Sequence, residues 1–314
     1  MKLKSLYLIL GVWLFLGFTF SYRTDFGIEI ICLGESRTSC QLKQGKAGAI
    51  IILSSQMIPY LEGEIFSQPV VFKSGADKRI HYALLGADLD QAPGRYLLKL
   101  KIRKPGQRTE KLHFPVEVRR KAYPVEYLTL PTQMVEFSPE LAKRVMKDNQ
   151  IILSKVSLLY EEIFWEGAFI LPVPGEVTSP FGARRIINHK PKSPHSGVDL
   201  RAREGEEVRA SNSGKVALVY EGYLLGKTIL LEHGGGLYTL YCHLSQPLVK
   251  SGEMVRKGEV IALSGATGRV SGPHLHFGAK LSGARIDPLS LIQVSKELEK
   301  ELAKYTYSPQ ASGF

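Results

Sequence analysis

No H-E-x-x-H pair occurs anywhere in the 314 residues, which excludes the zinc site built from two histidines on one helix face. The glycine-rich stretch Gly265 to Gly268 is followed by no Walker lysine, so a phosphate-cradling loop of that kind is not expected. The chain is short of acid, with a formal charge of +11, yet no nucleic-acid motif accompanies the excess and nucleic acid is not expected as a partner. Cysteine is scarce too. There are three, and none sits where a lipoprotein signal would place it. Cys32 and Cys40 are close enough to close a short disulfide loop in an exported protein, and two free thiols fit equally well. Cys242 lies in an apolar strand pattern and reads as a packed thiol.

The length suggests two modest domains, and a hydrophobic content of 44% lets each bury a core. Lys2 and Lys4 precede an uncharged, mostly apolar run from Leu6 to about Tyr22. That is the n-region and h-region of an export signal. With about 17 residues it also approaches the length of a spanning helix, so residues 1–22 read as a signal peptide or a membrane anchor. Either way the rest of the chain is placed outside the cytoplasm, in the periplasm or cell envelope.

Residues 26–120 read as a small β-sandwich-like domain. Tyr96, Leu98, Leu100 and Ile102 alternate with Leu97, Lys99, Lys101 and Arg103, a Pro105-Gly106 turn follows, and Leu112, Phe114, Val116 and Val118 alternate in return, which predicts a hairpin. The basic stretch Lys99 to Lys121 reads as a solvated hairpin edge, with attraction to an anionic wall polymer, headgroup or partner protein as the sharper alternative. His81 and His113 are isolated and read as structural. Ser138-Pro139 predicts a helix start, and apolar residues at mostly helical steps carry the pattern to about Trp165, giving a helical linker over 138–168. Residues 171–292 form a second all-β unit, with glycines punctuating short apolar runs. A helical or loose tail, 293–314, completes the chain.

Six of the eight histidines fall between His189 and His276. In PHSGVDL, His195 and Asp199 are four apart and Gly197 argues against a helix; on a strand they face the same side. In PHLHFG, His274 and His276 share one strand face while Leu275 and Phe277 turn inward. Two histidines and a carboxylate can hold a catalytic zinc with one position open. Either pair alone is a weak signal. Together in one glycine-rich β-domain, with His243 in Tyr241-Cys242-His243, they are sharp.

The segments SPFGARR (Ser179 to Arg185), HSGVDL, GLYTLYCHLS (Gly236 to Ser245) and GATGRVSGPHLHF (Gly265 to Phe277) resemble the lysostaphin/LytM-type zinc metallopeptidases. The resemblance covers roughly Leu171 to Leu291. It implies a mainly β fold with a C-terminal glycine-rich antiparallel domain. It also implies one Zn2+ per chain on His195, Asp199 and His276, with His243 and His274 as the unliganded catalytic pair. Tyr241, Asn188, Arg184 and His233 are candidate substrate contacts. The implied partner is the stem peptide of peptidoglycan, and the implied activity an endopeptidase cutting its cross-links, by expectation a D,D bond. A regulatory or scaffold protein could dock through the N-terminal domain, and the membrane enters only through the N-terminal segment. The rival reading is a catalytically silent wall-binding activator or scaffold for another cell-wall hydrolase. A third, a carrier module, follows from SGEMVRKGEVIALSG (Ser251 to Gly265), but no modified lysine at a hairpin tip is evident.

Overall fold

The computed structural model describes residues 19–24, 27–36, 38–128, 138–191 and 193–306. The expected leader lies outside them as far as residue 18. Its last part does not: Thr19–Arg23 is a strand paired antiparallel with Ile28–Leu33, Phe20 opposite Cys32 and Tyr22 opposite Ile30. The 1–22 leader segment therefore overlaps the sheet by four residues, because Phe20 and Tyr22 pack against the core residue Phe114. No helix among the described residues is long and apolar enough to cross a membrane.

The N-terminal half is a sandwich of two five-stranded sheets. The first runs Thr19–Arg23, Ile28–Leu33, Ala47–Ser54, Ile80–Gly86, Lys73–Ser74; the second runs Gln41–Lys43, Glu110–Arg119, Gly94–Arg103, Tyr60–Ile65, Gln68–Val70. The alternation read in the sequence sets the hairpin register, with Leu100 opposite Leu112 and Leu98 opposite Phe114. Their inward faces meet Ile30, Ile50 and Ile52 of the first sheet. On the outward face Lys99 and Lys101 pair with Glu64 and Glu62 at 2.8 and 2.9 Å, so the basic stretch is in part a solvated, internally neutralised ladder. Cys32 and Cys40 are bonded, which ties the first sheet to the start of the Gln41–Lys43 strand in the second.

The first sheet is apolar on both faces. Ile28, Ile30, Ile50 and Ile52 belong to the sandwich core; Ile31, Leu33, Ala49 and Ile51 face the other way, into a core shared with the C-terminal half. That accounts for the unbroken apolar run in Ala47–Ser54, since a strand buried on both faces shows no alternation. The shared core is completed by a helix, Pro288–Thr306 (here α2), through Leu291, Ile292, Val294 and Leu298. The tail expected from residue 293 is thus a structural element that begins at Pro288; residues 307–314 lie outside the described set.

The linking helix (α1) spans Pro139–Val156, with the Ser138 hydroxyl accepting from the Leu141 N–H and proline in the first turn. It ends nine residues before Trp165, where the periodicity placed its end. The apolar residues beyond Val156 serve an extended strap instead: Ile163 bridges to Gly234, the Gly235 N–H donates to the Tyr160 carbonyl, and the Tyr238 hydroxyl donates to the Leu158 carbonyl. Gly234 makes this approach possible, because a Cβ there would sit 1.7 Å from the Glu162 carbonyl oxygen.

The C-terminal half is a ten-stranded sheet whose main path runs Val177–Ser179, Gly197–Leu200, Leu275–Leu281, Leu237–Pro247, Gly226–Gly234, Gly214–Gly222, Met254–Val255, with antiparallel neighbours throughout. Ile152 and Val156 of α1 cover Leu230 and Tyr238 on its outer face. A small third sheet pairs Val125–Leu128 in parallel with Arg184–Ile187.

Candidate metal centre

Asp199 lies on Gly197–Leu200 directly opposite His276 on Leu275–Leu281. His195 precedes the first of these strands and is fixed by main-chain bonds on both sides, its N–H to the Ala183 carbonyl and its carbonyl to the Gly182 N–H. Three ligand atoms meet here. His195 Nε2 is 3.0 Å from Asp199 Oδ1 and 3.0 Å from His276 Nδ1, and His276 Nδ1 is 2.9 Å from Asp199 Oδ1. Among the described residues they form the one group of histidine, cysteine and carboxylate side chains that could hold a metal ion. Gly197 has a second reason to be glycine: a Cβ there would come within 2.8 Å of the His276 ring.

The donors are prepared for an ion. His195 Nδ1 donates to the Pro180 carbonyl at 2.9 Å, leaving Nε2 with its lone pair toward Asp199, the orientation that a partner on the far ring nitrogen imposes. Burial pushes the Asp199 carboxyl up, but its contacts with the His195 and His276 rings outweigh it and hold it well below the usual carboxylate range. Burial lowers the affinity of His276 for a proton. Two imidazoles and one carboxylate on a triangle of about 3 Å edge suit one small divalent cation with nitrogen and oxygen ligands.

His243 and His274 flank this group. Their ring centroids are 4.8 Å apart, and the His243 ring is 6.0 Å from that of His276. Each has Nδ1 tied to a main-chain carbonyl, His243 to Thr267 at 3.0 Å and His274 to Gly272 at 2.9 Å, which leaves the lone pair on Nε2; that of His274 lies 3.8 Å from Asp199 Oδ1. Burial pushes His243 down to about 4. His243 also has a left-handed backbone, φ 63°, uncommon for a side chain of this size. It sits where the Gly226–Gly234 and Leu237–Pro247 register slips between Lys227–Leu244 and Ile229–Tyr241. Such a bulge re-aims one side chain out of the strand alternation.

Of the four candidate substrate contacts, two are overturned. Tyr241 is fully buried, its hydroxyl accepting from the Ser211 N–H at 2.9 Å and from the Thr239 hydroxyl at 3.0 Å. It is a core tyrosine. His233 is likewise buried, bonded to the Ser213 carbonyl and the Thr239 hydroxyl and packed edge-on to Phe169. Arg184 reaches Asp90 of the N-terminal half at 3.2 Å, a docking contact. Asn188 and His189, both at positive φ, form the turn between Arg184–Ile187 and Lys190–Pro191. Cys242 is buried, its thiol pushed up to about 12. Sequence reasoning missed the carbonyls of Pro180, Thr267 and Gly272, which orient three histidines. They lie inside the quoted motifs, but a carbonyl has no side-chain signature.

Two histidines and a carboxylate thus converge in an antiparallel β-domain on a point that could hold a metal ion, with two more histidines beside them. Residues 193–288 match the model of Peptidase family M23. Over 119 residues the chain is 42% identical to an uncharacterized metalloprotease of Haemophilus influenzae, covering 37% of this chain and 25% of that protein. Over 123 residues it is 39% identical to the DD-carboxypeptidase/endopeptidase Mpg of Neisseria meningitidis serogroup B, covering 39% of this chain and 28% of that protein. The chain thus matches little more than a quarter of either relative's length. A crystal structure from Pseudomonas aeruginosa assigned to peptidase M23 superposes with a TM-score of 0.61 at 28% identity, over 79% of this chain and 94% of that one.

Proposed function

We propose that this protein is a zinc-dependent endopeptidase that hydrolyses peptide cross-links of peptidoglycan, with a D,D bond as its target, in the periplasm or cell envelope. The observation that carries the reading is the convergence of His195, Asp199 and His276 on one point, beside two histidines whose Nδ1 atoms are held by main-chain carbonyls. The relative from Neisseria, whose name states a DD-carboxypeptidase/endopeptidase, supports the choice of bond.

His195 Nε2, His276 Nδ1 and Asp199 would hold the ion. Bound zinc supplies Lewis acidity toward the scissile carbonyl and toward an attacking water. The protein supplies the rest. His243, neutral at pH 7 and aimed by Thr267, is placed to accept a proton through Nε2. His274, held by Gly272, is the second imidazole beside the ion and would donate to the oxyanion only once its Nε2 carries a proton. No glutamate is needed as base, because a neutral imidazole can itself accept the proton. The silent-activator reading has no observation in its favour, since all five positions are filled and brought together.

The test is digestion of diaminopimelate-type cross-linked peptidoglycan by the full chain with zinc, beside a His243→Ala control. Conversion of cross-linked dimers to monomers by the wild type alone is the expected result. A wild type that binds zinc and cuts nothing would sink the proposal and revive the activator.

A further inference from the structure

We propose that Asp148, on α1 and outside the segment that matches the family, is a positioning residue for His243; this rests on the catalytic reading of His243 given above. Asp148 is a buried carboxylate on a helix that is otherwise mostly exposed. Its Oδ1 accepts from the Tyr220 hydroxyl at 2.7 Å and its Oδ2 from the Tyr223 main-chain N–H at 2.7 Å. One turn earlier on the same face, the Arg144 guanidinium lies 5.6 Å from the Tyr223 ring centroid. The helix therefore grips the turn between Gly214–Gly222 and Gly226–Gly234 by both a side chain and the main chain.

That turn has a second set of partners on its far side. The Leu225 carbonyl accepts from the His243 N–H at 2.9 Å, and the Leu224 carbonyl accepts from the Arg269 N–H at 3.0 Å. Gly226 lies so close to Thr267 that a Cβ would sit 2.4 Å from its carbonyl. Thr267 in turn accepts from His243 Nδ1, and its hydroxyl accepts from the Lys227 N–H and donates to the Leu244 carbonyl. His243 is thus held from two directions by the same turn: its main chain by Leu225, and its ring through Thr267, packed against Gly226.

A non-glycine residue in the left-handed region persists only where its surroundings over-determine it. Here the restraint on the His243 N–H is a carbonyl in a turn of mostly intermediate burial. Such a turn is a loose anchor unless something fixes it from behind, and the Asp148 carboxylate does so with two hydrogen bonds of charge-assisted type. The geometry of the reacting imidazole accordingly depends on the docking of a helix outside the sheet, and small misplacements of a reacting group are expensive in rate.

The experiment uses the full chain with Asp148→Ala, Asp148→Asn and Tyr220→Phe. In Asp148→Ala, kcat on a purified cross-linked muropeptide is expected to fall about tenfold or more with KM little changed. Zinc affinity, measured by chelator competition, should stay at the wild-type level, because His243 is outside the ligand triangle. Amide exchange at His243 should quicken by a similar factor while Leu230 and Leu231 stay protected. Asp148→Asn keeps one acceptor and should rescue part of both effects; Tyr220→Phe removes one donor and should give a smaller loss if Asp148→Ala does not fold. Unchanged His243 exchange and unchanged kcat in a folded Asp148→Ala protein, or in Tyr220→Phe where it must stand in, overturn the proposal. If the wild type cuts nothing, the endopeptidase reading fails while amide exchange still decides whether Asp148 holds His243.

Discussion

Glu232 is buried beside the strap, and its Oε1 has no hydrogen-bond partner among the described residues. Burial first, and then the Glu162 carboxylate, pushes its carboxyl up to about 7, although Lys215 acts the other way. An acid whose folded value is raised binds its proton more tightly folded than unfolded. Stability is therefore highest at or below the unfolded value of 4.5 and falls as pH rises toward about 7. Glu232→Gln should remove this slope, leaving the variant more stable at pH 8 by about 1–3 kcal/mol. Denaturant unfolding at pH 5 and pH 8 checks it; a variant with the wild-type fall would show that the carboxyl is not the cause.

His243→Ala should lower turnover by about 10²–10⁴ with zinc affinity unchanged, whereas His276→Ala should lose both. Chelator competition separates the two, and loss of metal binding in His243→Ala would move it into the ligand set. The spacing of His195 with Asp199 and of His274 with His276 could be read from the sequence as two strand faces, and the structure brings His195, Asp199 and His276 together; His243 was singled out through the resemblance, since no spacing pairs it with the others. The four proposed contacts were less legible. Tyr241 and His233 belong to residue types that work equally well in a core when each polar atom finds a partner, and spacing alone does not distinguish the two uses.

At the scale of the element, the disulfide between Cys32 and Cys40 joins the two sheets of the sandwich across eight residues. Closing so short a loop is worth about 2.5 kcal/mol in the chain-entropy account. Replacing both cysteines by alanine should therefore lower the unfolding free energy by roughly that amount, measured by denaturant titration, with little effect on metal binding. Sequence separation permitted the bond but could not require it, since two thiols eight apart are equally at home in adjacent strands. The end of α1 illustrates a different limit. Leu159 and Ile163 continue its apolar period, but Gly234 offers an extended chain a closer seat than a helix could occupy, and tertiary contact decided the outcome.

For the whole molecule, the sheet shared by two cores is what the sequence showed least. The apolar run in Ala47–Ser54 was visible, but not which surface its second face would meet. That surface is α2 together with Trp165, Phe169 and Ile286, and the seam is locked by Arg285, which donates to Asp88 and Asp90, and by Lys46 paired with Asp287 at 2.7 Å. A fragment cut at 171 and 292 would lose Trp165, Phe169 and most of α2. It should unfold at a lower temperature than the full chain by about 10 °C or more, as expected for several kcal/mol of lost burial in a domain of that size. Calorimetry on the two proteins decides this, and equal transitions would show the seam to be dispensable. The full chain should melt in a single transition.

The seam also bears on how such a protein could be processed. In many secreted hydrolases a protease frees the active part by clipping a connector, and the two pieces drift apart. Here a clip in the strap would leave the fragments clasped through a buried, largely apolar face and the Arg285 ion pairs, to co-purify as a nicked complex. Release of the C-terminal half would require the seam to open as well as the strap to be cut.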